Sequence, residues 1–140
     1  MTERVLARSQ QYVISHEYEV VFLHGAGQQP IIIGDFYGDP DCAVIDYAER
    51  WCIVAGCGLI LYYLHDPFQP YAYDTVSDQW VELFSSPPDH LWIEALYQTG
   101  ANTVRLVVDI YSPQAGIYEL SLSDLTLKQL FSNPPLPEDG

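Results

Sequence analysis

Short runs rich in Val, Ile, Leu, Tyr and Trp recur along the chain about every eight to twelve residues, and Gly, Pro, Asp and Ser cut between them. That rhythm belongs to an all-β protein. It predicts strands at residues 11–15, 17–23, 31–35, 43–46, 51–55, 59–64, 71–74, 79–84, 91–98, 103–111, 116–120 and 125–131. In 103–111, Val104, Leu106, Val108 and Ile110 alternate with Thr103, Arg105, Val107 and Asp109, the pattern of a strand with one buried and one half-solvated face. In 17–23, neither the set Tyr18, Val20, Phe22 nor the set Glu19, Val21, Leu23 is polar, so both faces should be covered. No long helix is indicated. Leu122, Leu125, Leu127 and Leu130 suit either a short helix over 123–130 or a hairpin.

A weak internal repeat shapes the fold expectation. Tyr71-Ala72-Tyr73-Asp74, followed by Trp80 and Leu83-Phe84, aligns with Tyr118-Glu119-Leu120-Ser121, followed by Leu127 and Leu130-Phe131, at a constant offset of 47 (from 71 to 118). Upstream, 51–55 precedes 59–64 much as 92–96 precedes 104–110, so each half reads as a four-strand meander. Residues 71–83 resemble the outer hairpin of a kelch-type propeller blade, with a Tyr-x-Tyr-Asp turn and a Trp three residues before a Leu, although the paired glycines of such blades are missing. Propellers need about four or more blades and this chain has room for three, so a complete propeller is excluded unless several chains assemble one. The expected fold is therefore all-β: two successive antiparallel meanders plus N-terminal strands, as a sandwich or bent sheets. Residues 1–131 read as one β-rich domain, and 132–140, with three prolines, as a flexible acidic tail.

Composition agrees with a folded domain, since 49% of the 140 residues are hydrophobic and 11 are Tyr. Charge narrows the partners more sharply. Nineteen Asp and Glu against five Lys and Arg give a formal charge of −14, which disfavours nucleic acid and anionic membranes and favours steered encounter with a basic protein. No apolar run follows the basic residues of 1–8, and the longest apolar stretch, 56–64, is too short to cross a bilayer, so a cytoplasmic location with reduced thiols is expected.

No catalytic motif emerges. His16, His24, His65 and His90 lack metal-ligand spacing, and Cys42, Cys52 and Cys57 match no CxxC pattern, so neither metal nor cofactor is implied. The acidic loop Gly34–Asp41 departs from the calcium-loop pattern. Gly25-Ala26-Gly27 and Gly56-Cys57-Gly58 are turns rather than phosphate cradles. Cys42 beside Asp41 has its thiol pushed the wrong way for a nucleophile, while Cys52 and Cys57 read as small core residues. Trp51, Trp80 and Trp92 read as core anchors of their sheets.

What remains is a surface of acids and aromatics in the connecting segments. In size, acidity and lack of catalytic motifs the chain resembles the immunity proteins of bacterial toxin systems. That resemblance implies a non-catalytic inhibitor that caps the active or substrate-binding site of a cognate, basic toxin domain. On that reading Asp35, Asp39, Asp41, Asp66 and Asp89 meet the partner's Lys and Arg, with Tyr37, Phe68 and Tyr71 packing between them. The alternatives are an assembly module that pairs strands with another chain, and a small carboxylate-using hydrolase.

Overall fold

The computed structural model describes residues 3–87 and 89–132. Among them there is no helix, and hence none long and apolar enough to cross a membrane; twelve strands form three four-stranded antiparallel sheets. Sheet I holds β1 (Arg4–Arg8), β2 (Val13–Glu17), β3 (Val20–His24) and β4 (Ile31–Asp35). Sheet II holds β5 (Cys42–Ile45), β6 (Trp51–Gly56), β7 (Gly58–Tyr63) and β8 (Trp80–Leu83). Sheet III holds β9 (Ile93–Gly100), β10 (Thr103–Val108), β11 (Gly116–Ser121) and β12 (Thr126–Ser132). Each sheet is a simple meander in chain order, so the expected N-terminal strands make a third meander of their own.

The sheets stack face to face with sheet II in the middle, and composition dictates that position. β6 and β7 read Trp-Cys-Ile-Val-Ala-Gly and Gly-Leu-Ile-Leu-Tyr-Tyr, without a charged residue, as strands covered on both faces must. Cys52, Val54, Ile60 and Tyr62 point into a core shared with Ile14, Val21, Leu23 and Ile33 of sheet I. Their alternates Trp51, Ile53, Leu59 and Leu61 point into a second core with Ile93, Val104, Leu106 and Leu120 of sheet III. The outer sheets instead alternate: in β10 Val104, Leu106 and Val108 are buried while Thr103, Arg105 and Val107 are half-buried.

The stack is fanned. β1 lies against β5, and β5 against β9, whereas no comparable approach joins the fourth strands β4, β8 and β12 among the described residues. First strands thus gather along one line and fourth strands splay from it, as blades do around an axis.

Three local readings change. Residues 17–23 are not one strand, because the chain reverses at Tyr18-Glu19, where Tyr18 takes φ 54° and His16 Nδ1 donates to Tyr18 O (2.8 Å). Residues 71–74 form part of the β7–β8 connection rather than a strand; Tyr71 N donates to Ile32 O (2.8 Å) there. The chain also opens with β1, unforeseen because its apolar residues are only Val-Leu-Ala between two arginines. The 123–130 segment is a hairpin turning at Leu125 (φ 58°). The repeat at offset 47 is real at the fourth strands, where Trp80–Leu83 falls on residues 127–130 of β12. The upstream alignment is out by one strand, since β6 and β7 are second and third in their sheet while β9 and β10 are first and second. The tail from residue 133 lies outside the described residues.

Candidate functional site: an acidic, aromatic cleft

Because every sheet is a meander, its connections fall alternately at the two ends of the stack. One end gathers the Tyr18-Glu19 turn, residues 36–41, the Cys57 apex, residues 84–87 and 89–92, and residues 109–115. Between them opens a cleft of about 540 Å³ lined by Glu19, Asp35, Tyr37, Tyr73, Glu82, Cys57, His90 and Trp92, with Phe36 and residues 85–87.

Its walls are built by specific contacts. Glu19 clasps the β4–β5 connection: its carbonyl accepts from Phe36 N (2.9 Å) and its carboxylate from Gly38 N (2.6 Å). The turn suits Gly38, whose φ of 82° is open to glycine without strain. Asp35 ends β4 opposite Val20, and the next two residues part company, Phe36 entering the core while Tyr37 stands 80% exposed. On the facing wall Glu82 of β8 accepts from Tyr71 OH (2.6 Å), and Tyr71 packs its ring on Trp80 (5.5 Å between centroids). Burial first, and then Glu82, pushes the Tyr71 phenol up, so it stays protonated and holds Glu82 in place.

At the floor, Gly56 pairs with Gly58 and leaves Cys57 at the apex of the β6–β7 hairpin, bridged to Trp92. The Cys57 Sγ lies 3.2 Å from His90 Nε2, and His90 meets Trp92 edge to face at 4.8 Å. A Cys–His contact invites comparison with a nucleophile and base. Burial and the Glu82 charge push this thiol up, however, and among the described residues no third group bonds His90. A second catalytic-looking set, Ser15, His24 and Glu3, meets on the outer face of sheet I. Ser15 Oγ donates to Glu3 (2.6 Å), and both Ser15 (2.9 Å) and Glu3 (3.0 Å) address the same His24 nitrogen, Nε2. A relay needs the acid and the hydroxyl on opposite nitrogens, so this is a polar network and no triad. Among the described residues no three His, Cys, Asp or Glu side chains group as metal ligands.

The eight partner-binding candidates divide. Asp35 and Tyr37 line the cleft, and Asp39, Asp41 and Asp89 stand exposed at the same end. Desolvation raises the Asp41 carboxyl, with Arg4 opposing and Asp109 and Asp39 adding less. Asp66 and Phe68 belong to the other end, where Phe68 is half-buried against Tyr12 (6.4 Å). Tyr71 is a core residue at 9% exposure that supports the cleft from behind and offers no contact surface. Glu19, Tyr73, Glu82 and His90 join the cleft only through the fold. Trp51 and Trp80 are core anchors at 3% and 6% exposure, whereas Trp92, expected to be one, is 37% exposed at the cleft. Only Tyr73 had a signal in the sequence, the Tyr-x-Tyr-Asp turn, because the others converge across sheets. Comparison with protein-family models, with curated proteins and with solved structures gives no match, so the functional reading rests on the chemistry of this cleft.

Proposed function

We propose that this protein binds a basic protein partner through its acidic end, with Lys or Arg side chains of the partner entering the cleft. The observation that carries the reading is the pairing of three carboxylates, Glu19, Asp35 and Glu82, with the aromatic faces of Tyr37, Tyr73 and Trp92 in one concavity. A cation there is met by opposite charge and by π faces together, each stronger when partly desolvated. Asp39, Asp41 and Asp89 on the rim steer encounter, while the cleft residues govern escape. The finer proposal is an immunity function: the partner is a toxin domain whose basic active or substrate-binding site this end caps.

Titration calorimetry with nona-arginine as the probe tests the cleft. Saturable one-to-one binding that weakens with salt is expected, and Asp35→Asn or Glu19→Gln should each weaken it by up to about tenfold, equal to about 1.4 kcal/mol. Binding that does not saturate, or that ignores both substitutions, rejects the cleft. The immunity role is tested by co-expression with a toxic basic domain encoded beside this chain: growth should be rescued, and Asp35→Lys should abolish the rescue without unfolding the protein.

A further inference from the structure

We propose that two copies of this chain close into one ring of six sheets, with the outer face of sheet I in each copy packing on the outer face of sheet III in the other. This inference is independent of the cleft, which lies at an end of the stack and not on these faces.

The first argument is the fan. Successive sheets pack face to face with their first strands gathered and their fourth strands splayed, an arrangement that continued in the same sense returns on itself. Rings of four-stranded sheets close at about four to eight. One copy supplies three, too few; three copies supply nine, too many; two copies supply six.

The second argument is what the terminal sheets present. Stacked arrays that stop need polar outer faces on their end units. Sheet I instead carries Val5 (43% exposed), Val13, Val20, Phe22 and Ile32 (41% exposed) on its outer side. Sheet III carries a cross-strand apolar row, Ala95, Val107, Ile117 and Phe131, the last 64% exposed.

Charge selects the pairing. Two of the five Lys and Arg residues, Arg105 and Lys128, stand on the outer face of sheet III in one row with Glu119 between them. The outer face of sheet I carries Glu3 and Glu17 against Arg8. Pairing sheet III with sheet III would oppose cations, and sheet I with sheet I would oppose carboxylates, so the complementary contact is head to tail. Such a contact generates a closed ring when its rotation closes. The net charge of −14 opposes self-association in general, but much of it sits in the connections at the ends of the stack. A four-strand face measures roughly 17 by 17 Å, so the four faces of two seams cover on the order of 1,000 Å², enough for a specific interface.

Sedimentation of the full chain decides. The expected species has twice the mass of the 15.9 kDa chain. Val107→Glu on sheet III and Phe22→Glu on sheet I should each raise the dimer dissociation constant more than about tenfold, because each damages both seams. Mixing these two variants should restore dimers, since one seam then joins two undamaged faces. Lys128→Glu, at an exposed position that cannot disturb the core, should weaken the dimer as well. A monomer at all concentrations overturns the proposal, as does a dimer indifferent to Val107→Glu or a mixture that fails to recover while each variant keeps its native circular dichroism.

Discussion

The Asp46 carboxylate is fully buried and accepts a 2.8 Å hydrogen bond from Gln98 Nε2, joining the end of β5 in sheet II to β9 in sheet III. Its other oxygen accepts from Arg50 Nε (2.6 Å) and Arg50 N (3.1 Å), and the Arg50 guanidinium continues to the Ala101 carbonyl. Burial alone would raise this carboxyl, but the bonds from Arg50 and Gln98 outweigh it and hold the group at about 2 against an ordinary 3.8.

A carboxyl depressed in the folded state stabilises the fold above its unfolded value and loses that contribution as pH falls through the folded one. Asp46 should therefore contribute on the order of 2 kcal/mol above about pH 4, lost progressively toward pH 2. Urea midpoints measured against pH should show this increment in the native protein and not in Asp46→Asn.

Gly58 should not tolerate alanine. Its φ is 79°, and a Cβ would lie 2.7 Å from Ser85 Cα and 2.8 Å from Leu83 O, both backbone atoms that cannot swing away. Gly58→Ala should cost at least about 2 kcal/mol in chemical denaturation. Gly38→Ala, at a similar φ of 82° but with open space around the position, should cost only about 1 kcal/mol.

Tyr62 joins two roles that substitution separates. Its ring stacks on Trp80 (6.3 Å, 2° between planes) inside the core of sheets I and II, while its hydroxyl donates to Gln69 O (2.5 Å). Tyr62→Phe should cost about 1 kcal/mol, and Tyr62→Ala about 3–5 kcal/mol, because the second leaves a cavity. Equal losses from the two would show that the hydroxyl and not the packing matters.

The three thiols should be slow to alkylate in the folded protein. Burial, with Asp41 and Glu94 adding, pushes Cys42 up to about 12, and burial raises Cys52 and Cys57 as well. At about pH 8 the native chain should react far more slowly than the chain in urea, where thiols return to about 8.5. A single fast thiol in the native state, if mapped to Cys57, would reopen the question of its contact with His90.

Much of the fold was legible because burial leaves a periodic trace. β10 alternates and lies at the side of the stack; β6 and β7 do not alternate and lie in its middle. β1 left too short a trace, and Tyr71–Asp74 left a false one, since its aromatics serve a connection that packs on β4. For the site, Asp35 and Tyr37 were legible because they sit in a glycine-flanked acidic loop. Glu82, His90 and Trp92 were not, because only the packing of sheet I on sheet II brings them opposite Glu19, Asp35 and Tyr37.

The double coverage of sheet II also removes a safeguard. In a sheet with one wet face, sliding a strand by one residue would drive polar groups inward, so solvent itself polices alignment. β6 and β7 are apolar on both sides and would slide against each other with little such penalty. Their alignment must be held by shape, through the tight Gly56-Cys57-Gly58 reversal at one end and the Asp46, Arg50 and Gln98 clasp at the other. Those two points are the locks that choose one native alignment from several that the hydrophobic effect alone would accept.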